Sequence, residues 1–257
     1  MRFPFVTEPA VFLERPNRYL VIAQLQHSGE TVRVHCPDPG RLRELLIPHA
    51  GVIVHVSRAD PLTAPARKTA YDLRFVEHPE DGTLISLDSR LPNALFGEGL
   101  RAGFFAPFRN YQTFAREVSV PHAEPGAVRS RIDYRLIDAA GRTCWIEVKS
   151  ATLVEDGVAY FPDAVTERGR RHVEELQHLA EQGDRAAICF VVQRPDARCL
   201  RPQWEHDPAF SAALHCAGQA GVELYAVTVS VTLAAADLAQ MIPVLTGRIR
   251  EKENANC

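Results

Sequence analysis

The sequence predicts two units in one chain: a small β-barrel over residues 1–84 and a mixed α/β domain over residues 85–246, ahead of a flexible polar tail at 247–257. Three observations predict it. Short strand-like runs broken by turn residues fill the first third. From Leu84 the rhythm changes to interleaved helical and strand periods. Residues 186–192 are apolar throughout and of strand length, as suits a central strand covered on both faces.

In the first unit, residues 12–14, 19–25 and 31–35 read as strands, with Ser28-Gly29-Glu30 turning the second into the third. Cys36-Pro37-Asp38-Pro39-Gly40 breaks the pattern. Residues 41–46 suit a short helix, with Leu42, Leu45 and Leu46 on one side. Residues 52–56 and 70–77 are further strands. Three strands, a helix and two strands is the order of an OB-fold barrel, a common platform for oligonucleotides. Residues 60–68 read as an exposed loop with a basic end at Arg67-Lys68.

In the second unit a helix starts near Pro92-Asn93, with Asn93 as its N-cap. Strands are expected at 113–120, 132–137 and 143–149. A helix at 170–182 turns Val173, Leu176 and Leu179 inward and stops at Gly183. A helix at 208–220 and a strand at 222–231 complete the unit.

The remaining composition excludes several classes. No apolar run is long enough to span a bilayer, and the start Met1-Arg2-Phe3-Pro4-Phe5-Val6-Thr7-Glu8 lacks a signal-peptide core, so no membrane partner is expected and a cytoplasmic location is. The 6 cysteines are scattered with no C-x-x-C pair, which argues against a disulfide framework and a thiolate zinc site. No glycine-rich nucleotide loop supports a sugar-converting enzyme. The net charge of -3 allows a nucleic-acid face only if the basic residues are segregated.

Two segments carry chemistry. Ser130-Arg131-Ile132-Asp133-Tyr134-Arg135-Leu136-Ile137 and Thr143-Cys144-Trp145-Ile146-Glu147-Val148-Lys149 both alternate. Successive strand residues take opposite faces, so Ile132, Tyr134 and Leu136 should share a core with Cys144, Ile146 and Val148. A hairpin satisfies this if Leu136 opposes Cys144 and Ile132 opposes Val148, with Asp138 to Arg142 connecting and Gly141 at a left-handed position. Asp133 then opposes Glu147, with Lys149 further along the same face. Two carboxylates beside an apolar sheet call for a partner, and oxygen donors suit Mg2+ or Mn2+. Such an ion would hold a phosphate oxygen and activate water, with Lys149 orienting it or stabilising developing charge. Lys68, Lys149 and Lys252 are the only lysines among 29 basic residues, which makes Lys149 informative. Trp145 could stack on a base, but packing is the favoured reading. The bland alternative for an E-x-K pattern is a solvated salt bridge.

Those residues, with Phe161-Pro162-Asp163-Ala164-Val165-Thr166, Arg168-Gly169, Val192-Gln193-Arg194, His35-Cys36-Pro37, Gly40, Arg67-Lys68 and Pro92-Asn93, resemble the bacterial sugar fermentation stimulation protein family. The resemblance covers essentially the whole chain. It implies DNA binding and an N-terminal OB-like domain joined to a domain of the PD-(D/E)xK nuclease type. It maps the catalytic acids and lysine onto Asp133, Glu147 and Lys149, and it adds Glu98 as a third metal ligand. Arg67, Lys68, Arg131, Arg168, Arg170 and Arg171 are the DNA-contact candidates, the last three at a helix start that suits phosphate. Gln193 and Arg194 border the site. A homodimer would fit a class that often cuts two strands. Asp38-Pro39-Gly40-Arg41 departs from the family, which has asparagine, threonine, glycine and serine there. Two functions compete, a metal-dependent deoxyribonuclease and a non-catalytic DNA-binding regulator that keeps the nuclease fold.

Overall fold

A computed structural model describes residues 1–59, 68–120 and 130–248. The polar tail and Arg67 lie outside these, apart from Gly247 and Arg248. The first unit comprises β1 (Glu8–Asn17), β2 (Leu20–Leu25), β3 (Thr31–His35), β4 (Ile53–Arg58), β5 (Tyr71–Glu77) and β6 (Leu84–Ser86). Its strands pair in the order β3-β2-β1-β4-β5-β6. A parallel contact of Val34 with Tyr71 and His35 with Asp72 joins β3 to β5 and closes five strands into a barrel. Alternation explains the filling, since Ala10, Phe12, Val21, Ala23, Val32, Val34 and Val54 all enter one core.

One expectation fails here. Residues 41–46 form turns rather than a helix, because Leu42 takes a left-handed φ of 50° that no helix continues through. Leu42, Leu45 and Leu46 are still buried, so the apolar spacing was real and served a plug at the barrel end.

The second unit comprises α1 (Leu91–Arg101), β7 (Tyr111–Ser119), β8 (Arg131–Asp138), β9 (Thr143–Ala151), β10 (Val154–Glu155), β11 (Val158–Phe161), α2 (Glu167–Glu181), β12 (Arg185–Val192), β13 (Cys199–Pro202), α3 (Pro208–Gln219), β14 (Glu223–Val231) and β15 (Ala236–Ile242). A six-stranded sheet runs β15-β14-β12-β9-β8-β7, and a small sheet runs β10-β11-β13. β12 is parallel to both β9 and β14 at the centre. Its even residues, Ile188, Phe190 and Val192, join the core under α2 and α3. Its odd residues, Ala187, Cys189 and Val191, join a second core under α1. A strand buried on both faces has no polar side to show, hence the continuous apolar run.

α2 has Thr166 as N-cap, its hydroxyl accepting from Gly169 N at 3.0 Å, and Gly183 beyond its end has φ 96°. α1 is capped differently from expectation. Its N-cap is Arg90, with Pro92 in the first turn, and Asn93 lies inside the helix. Proline tolerates that turn because its missing N–H would be unsatisfied there anyway.

The cysteine reading is corrected at one position. Cys36, Cys144, Cys189 and Cys216 are free thiols, whereas Cys199 is disulfide-bonded. Among the described residues no helix is long and apolar enough to cross a membrane.

The two units are braced against each other. Arg15 donates to the carbonyls of Asp38 (2.9 Å), Gly40 (2.8 Å), Arg41 (2.8 Å) and Arg18 (2.8 Å), which shapes the 38–41 loop. That loop reaches the second unit through Arg41 N, which donates to Asp163 Oδ2 at 2.7 Å. Beside it, a Cβ on Gly40 would lie 2.5 Å from Asp163 Oδ2 and 2.8 Å from Asp38 Oδ1. Gly40→Ala is therefore expected to push Asp163 off Arg41 and destabilise the protein by about 1–3 kcal/mol, read as a lower urea midpoint. Gly247→Ala, at a glycine with nothing within 4 Å and no left-handed φ, is the control.

Candidate functional site

The hairpin register is the one expected. Leu136 opposes Cys144 and Tyr134 opposes Ile146 in antiparallel β8 and β9. β8 extends to Asp138, so the connection is a residue shorter than expected, and Gly141 has φ 75°. The pairing stops at Tyr134–Ile146. Beyond it the Asp133 carboxylate, not a backbone carbonyl, accepts the Val148 N–H through Oδ2 at 2.8 Å. The strands part there, which corrects the expected face assignment. Tyr134 and Leu136 share the α1 core with Cys144, Ile146 and Val148, but Ile132 sits in the core under α2 and α3.

Asp133 is anchored from a second side by α1. Asn93 Nδ2 donates to Asp133 Oδ1 at 2.7 Å, Arg116 donates to Asn93 Oδ1 at 3.0 Å, and the Tyr134 hydroxyl donates to the Asn93 carbonyl at 2.6 Å. Gly97, one turn on, is where Tyr134 crosses the helix, since a Cβ there would lie 2.6 Å from its hydroxyl.

Glu147 and Lys149 lie two residues apart on β9, on one face, and Lys149 Nζ donates to Glu147 Oε1 at 2.6 Å. His172 Nδ1 on α2 meets the same oxygen. Glu147 is 4% exposed, and its other oxygen, Oε2, is buried with no hydrogen-bond partner. The two acids shift in opposite directions. Burial, reinforced by the charge of Glu147, pushes the Asp133 carboxyl up to about 6 against the opposing pull of the Val148 amide and Lys149. Burial also acts against ionisation of Glu147, but Lys149 and the His172 hydrogen bond outweigh it and hold that carboxyl below its usual value.

The other predicted residues fall in different places. Glu98 is not brought to the acidic pair; it is exposed on α1, 3.4 Å from the Met1 ammonium. Asn93 reaches Asp133 from that helix instead. Arg168 and Arg171 are exposed on α2, and Arg168 stands one turn before His172. Arg170 donates to Glu174 at 2.7 Å. Arg131 and Lys68 are exposed. Gln193 is buried and donates to Ser150 Oγ at 3.1 Å, while Arg194 is buried against Asp196 at 2.7 Å. Trp145 packs at 3% exposure, its indole N–H donating to Asp184 at 2.9 Å. Sequence reasoning missed His172 and the role of Asn93. His172 follows the arginine run and lies one position before Val173 on the inward stripe, which was its available signal.

Among the described residues no group of three or more His, Cys, Asp and Glu side chains is arranged to hold a metal ion. Mg2+ needs fewer, because it keeps several waters and binds proteins through one or two carboxylates. An acidic pair with one orphaned buried carboxylate oxygen fits that demand.

The fold and site define a class: an OB-type barrel braced against a mixed α/β domain whose central hairpin opens around an acidic pair and a lysine. Comparison with known proteins gives the family. Residues 13–87 match the model of the SfsA N-terminal OB domain, and residues 90–235 match the sugar fermentation stimulation protein RE domain. A sugar fermentation stimulation protein homolog of Moorella thermoacetica is 46% identical over 222 residues, covering 84% of this chain and 87% of that protein. One from Desulforamulus reducens is 42% identical over 235 residues, covering 91% of each. The solved structure of Pyrococcus furiosus SfsA in complex with Ca2+ superposes with a TM-score of 0.79 at 28% identity, covering 95% of this chain and 99% of that one. The chain belongs to the sugar fermentation stimulation protein family.

Asn93 supplies a hydrogen bond to the charged form of Asp133. In Asn93→Ala the Asp133 titration is expected to move above 6, by on the order of one pH unit, as followed by carboxyl carbon NMR. No movement would mean that burial, Glu147, the Val148 amide and Lys149 set it without Asn93.

Proposed function

We propose that the protein binds DNA and hydrolyses phosphodiesters at a Mg2+- or Mn2+-dependent site of the PD-(D/E)xK type, formed by Asp133, Glu147 and Lys149. The observation that carries this reading is the orphaned Oε2 of Glu147, buried beside Asp133 in a site whose other charges are compensated. An uncompensated buried carboxylate oxygen is costly unless it is reserved for a cation. The Ca2+ in the Pyrococcus furiosus relative supports a hard, oxygen-preferring ion.

Each residue then has a task. Asp133 and Glu147 would hold the ion, which supplies a polarised phosphoryl oxygen and an activated water. Lys149 is kept ammonium-side to Glu147 and can turn towards charge building on the phosphate. Asn93 and His172 fix the two carboxylates from opposite helices. The exposed Arg168 and Arg171 would meet the backbone phosphates.

A second reading, a DNA-binding regulator that no longer cuts, draws on one observation: both Asp133 oxygens already accept hydrogen bonds. Calorimetry with MnCl2 and a plasmid-cleavage assay separate the two. Wild type is expected to bind Mn2+ and cut. Asp133→Asn should lose both, and Lys149→Met should keep the metal and cut at least ~100-fold more slowly, the scale of one lost electrostatic stabiliser. Wild type that binds DNA but neither Mn2+ nor Mg2+ would transfer the assignment to the regulator. A raised Asp133 is ionised above about 6 and protonated below it, so Mn2+ affinity should fall as pH drops from 7.5 to 5.5.

A further inference from the structure

Where the two units meet, a cleft of about 330 Å³ begins at Ser150, the residue after Lys149 in β9. Its floor is residues 150–153 of β9 and the turn after it, and one wall is residues 160–166, from Tyr160 to the α2 N-cap Thr166. The barrel supplies the other wall with Arg18 and residues 38–40, and Ser89 lies at the approach to α1. We propose that this cleft seats one unpaired nucleobase beside the phosphodiester at Asp133, Glu147 and Lys149, making the preferred substrate single-stranded. The proposal rests on the phosphodiester reading and adds the substrate class.

Size decides against a duplex. The cleft lies at the low end of ligand pockets, which run about 300–1,000 Å³. It takes a single ring system, whereas a base pair with its two sugars would not enter. Chemistry decides against a phosphate. Asp38, 8% exposed, and Asp163 both line it, and a phosphate would meet like charge from both. Carboxyl oxygens instead accept from the exocyclic amino groups of bases. Burial also pushes the Asp38 carboxyl up to about 6, so at neutral pH it is an acceptor whose desolvation an amino donor would relieve. Tyr160, Phe161 and Pro162 give flat surfaces, and the Ser89 and Ser150 hydroxyls give adaptable hydrogen bonding.

The barrel end agrees. OB barrels bind oligonucleotides partly through the loop between their first two strands. Here that loop carries Arg18, which lines the cleft, and Tyr19, a residue 56% exposed. An exposed aromatic beside a one-base pocket suits stacking of the next base. The exposed Arg41 and Arg168 flank the two walls as backbone contacts.

The test is binding of a 2-aminopurine-labelled oligonucleotide, single-stranded and as duplex, to the full chain in EDTA, with MnCl2 calorimetry and cleavage run separately. Wild type should bind the single strand at least ~10-fold tighter than the duplex, with the fluorescence change of a base leaving solvent. Stacking energies predict that Tyr19→Ala weakens single-strand binding by about tenfold. Ala164→Trp, which fills the cleft, should abolish the strand preference while leaving Mn2+ affinity unchanged; Ser89→Tyr fills it from the opposite wall should that variant unfold. Equal affinity for the two forms, or a preference that survives both filled variants, would overturn the proposal. A cleft-dependent preference without cleavage would keep the base seat and remove the hydrolytic reading instead.

Discussion

A carboxylate 4% exposed between two apolar cores is the constraint on which the second unit depends. Glu147 lies on an interior strand with α2 packed over its side chain through His172, so it cannot turn to solvent. Removing one partner from a buried ion pair costs about 3–5 kcal/mol, while the pair itself contributes little. The surroundings are consequently fixed. Lys149 must stay two residues on, α2 must bring His172 to the same oxygen, and β12 must cover the far edge. Asp133 meets the complementary demand by opening the hairpin. It takes the Val148 amide in place of a ladder partner, and α1 supplies the other hydrogen bond through Asn93.

Much of this was legible in the sequence because period-two alternation fixes which residues share a face. Pairing Leu136 with Cys144 puts Tyr134, Leu136, Cys144 and Ile146 in one core, a one-residue slip would send one set to the other face, and that pairing is present. Alternation stops being informative where a side chain replaces the backbone in the ladder. Ile132 looked like part of the Tyr134 face because nothing local marks Asp133 as the point where the strand turns over. The same limit explains Glu98 and Asn93. Helical period placed both on α1, but which faces Asp133 follows from the Gly97–Tyr134 contact and the Met1 ammonium, both set by distant chain. His172 was hidden because a histidine on an apolar stripe has the pattern of a core residue. Short edge elements such as β6 and β10 carry too few residues for a period to register.

The barrel shows a subtler version of the same lesson. Leu42, Leu45 and Leu46 have helical spacing and are buried, yet Leu42 is left-handed. The spacing was read as an element when it recorded only which residues face the core. The loop before it, Asp38-Pro39-Gly40-Arg41, has no regular secondary structure. Its geometry assigns it to bracing. Arg15 gathers its carbonyls, and its last amide is spent on Asp163.

That brace ties the barrel to the strand that carries Glu147 rather than merely to the neighbouring domain. Asp163 lies on the segment running from β11 to the Thr166 cap, and the Thr166 amide donates to Asp207, the N-cap of α3, at 2.8 Å. From Thr166 the α2 helix carries His172 to Glu147, less than two turns away. The chain of contacts from Arg15 to Glu147 therefore consists of a charged fork, a glycine with no room for a side chain, a carboxylate, a cap and a helix. None of these parts has freedom to shift alone. A barrel held this way presents Arg18 of its β1–β2 loop to the cleft that begins at Ser150, which a flexible linker of similar length could not do. Two units separated in sequence are thus held together as a single surface beside Glu147.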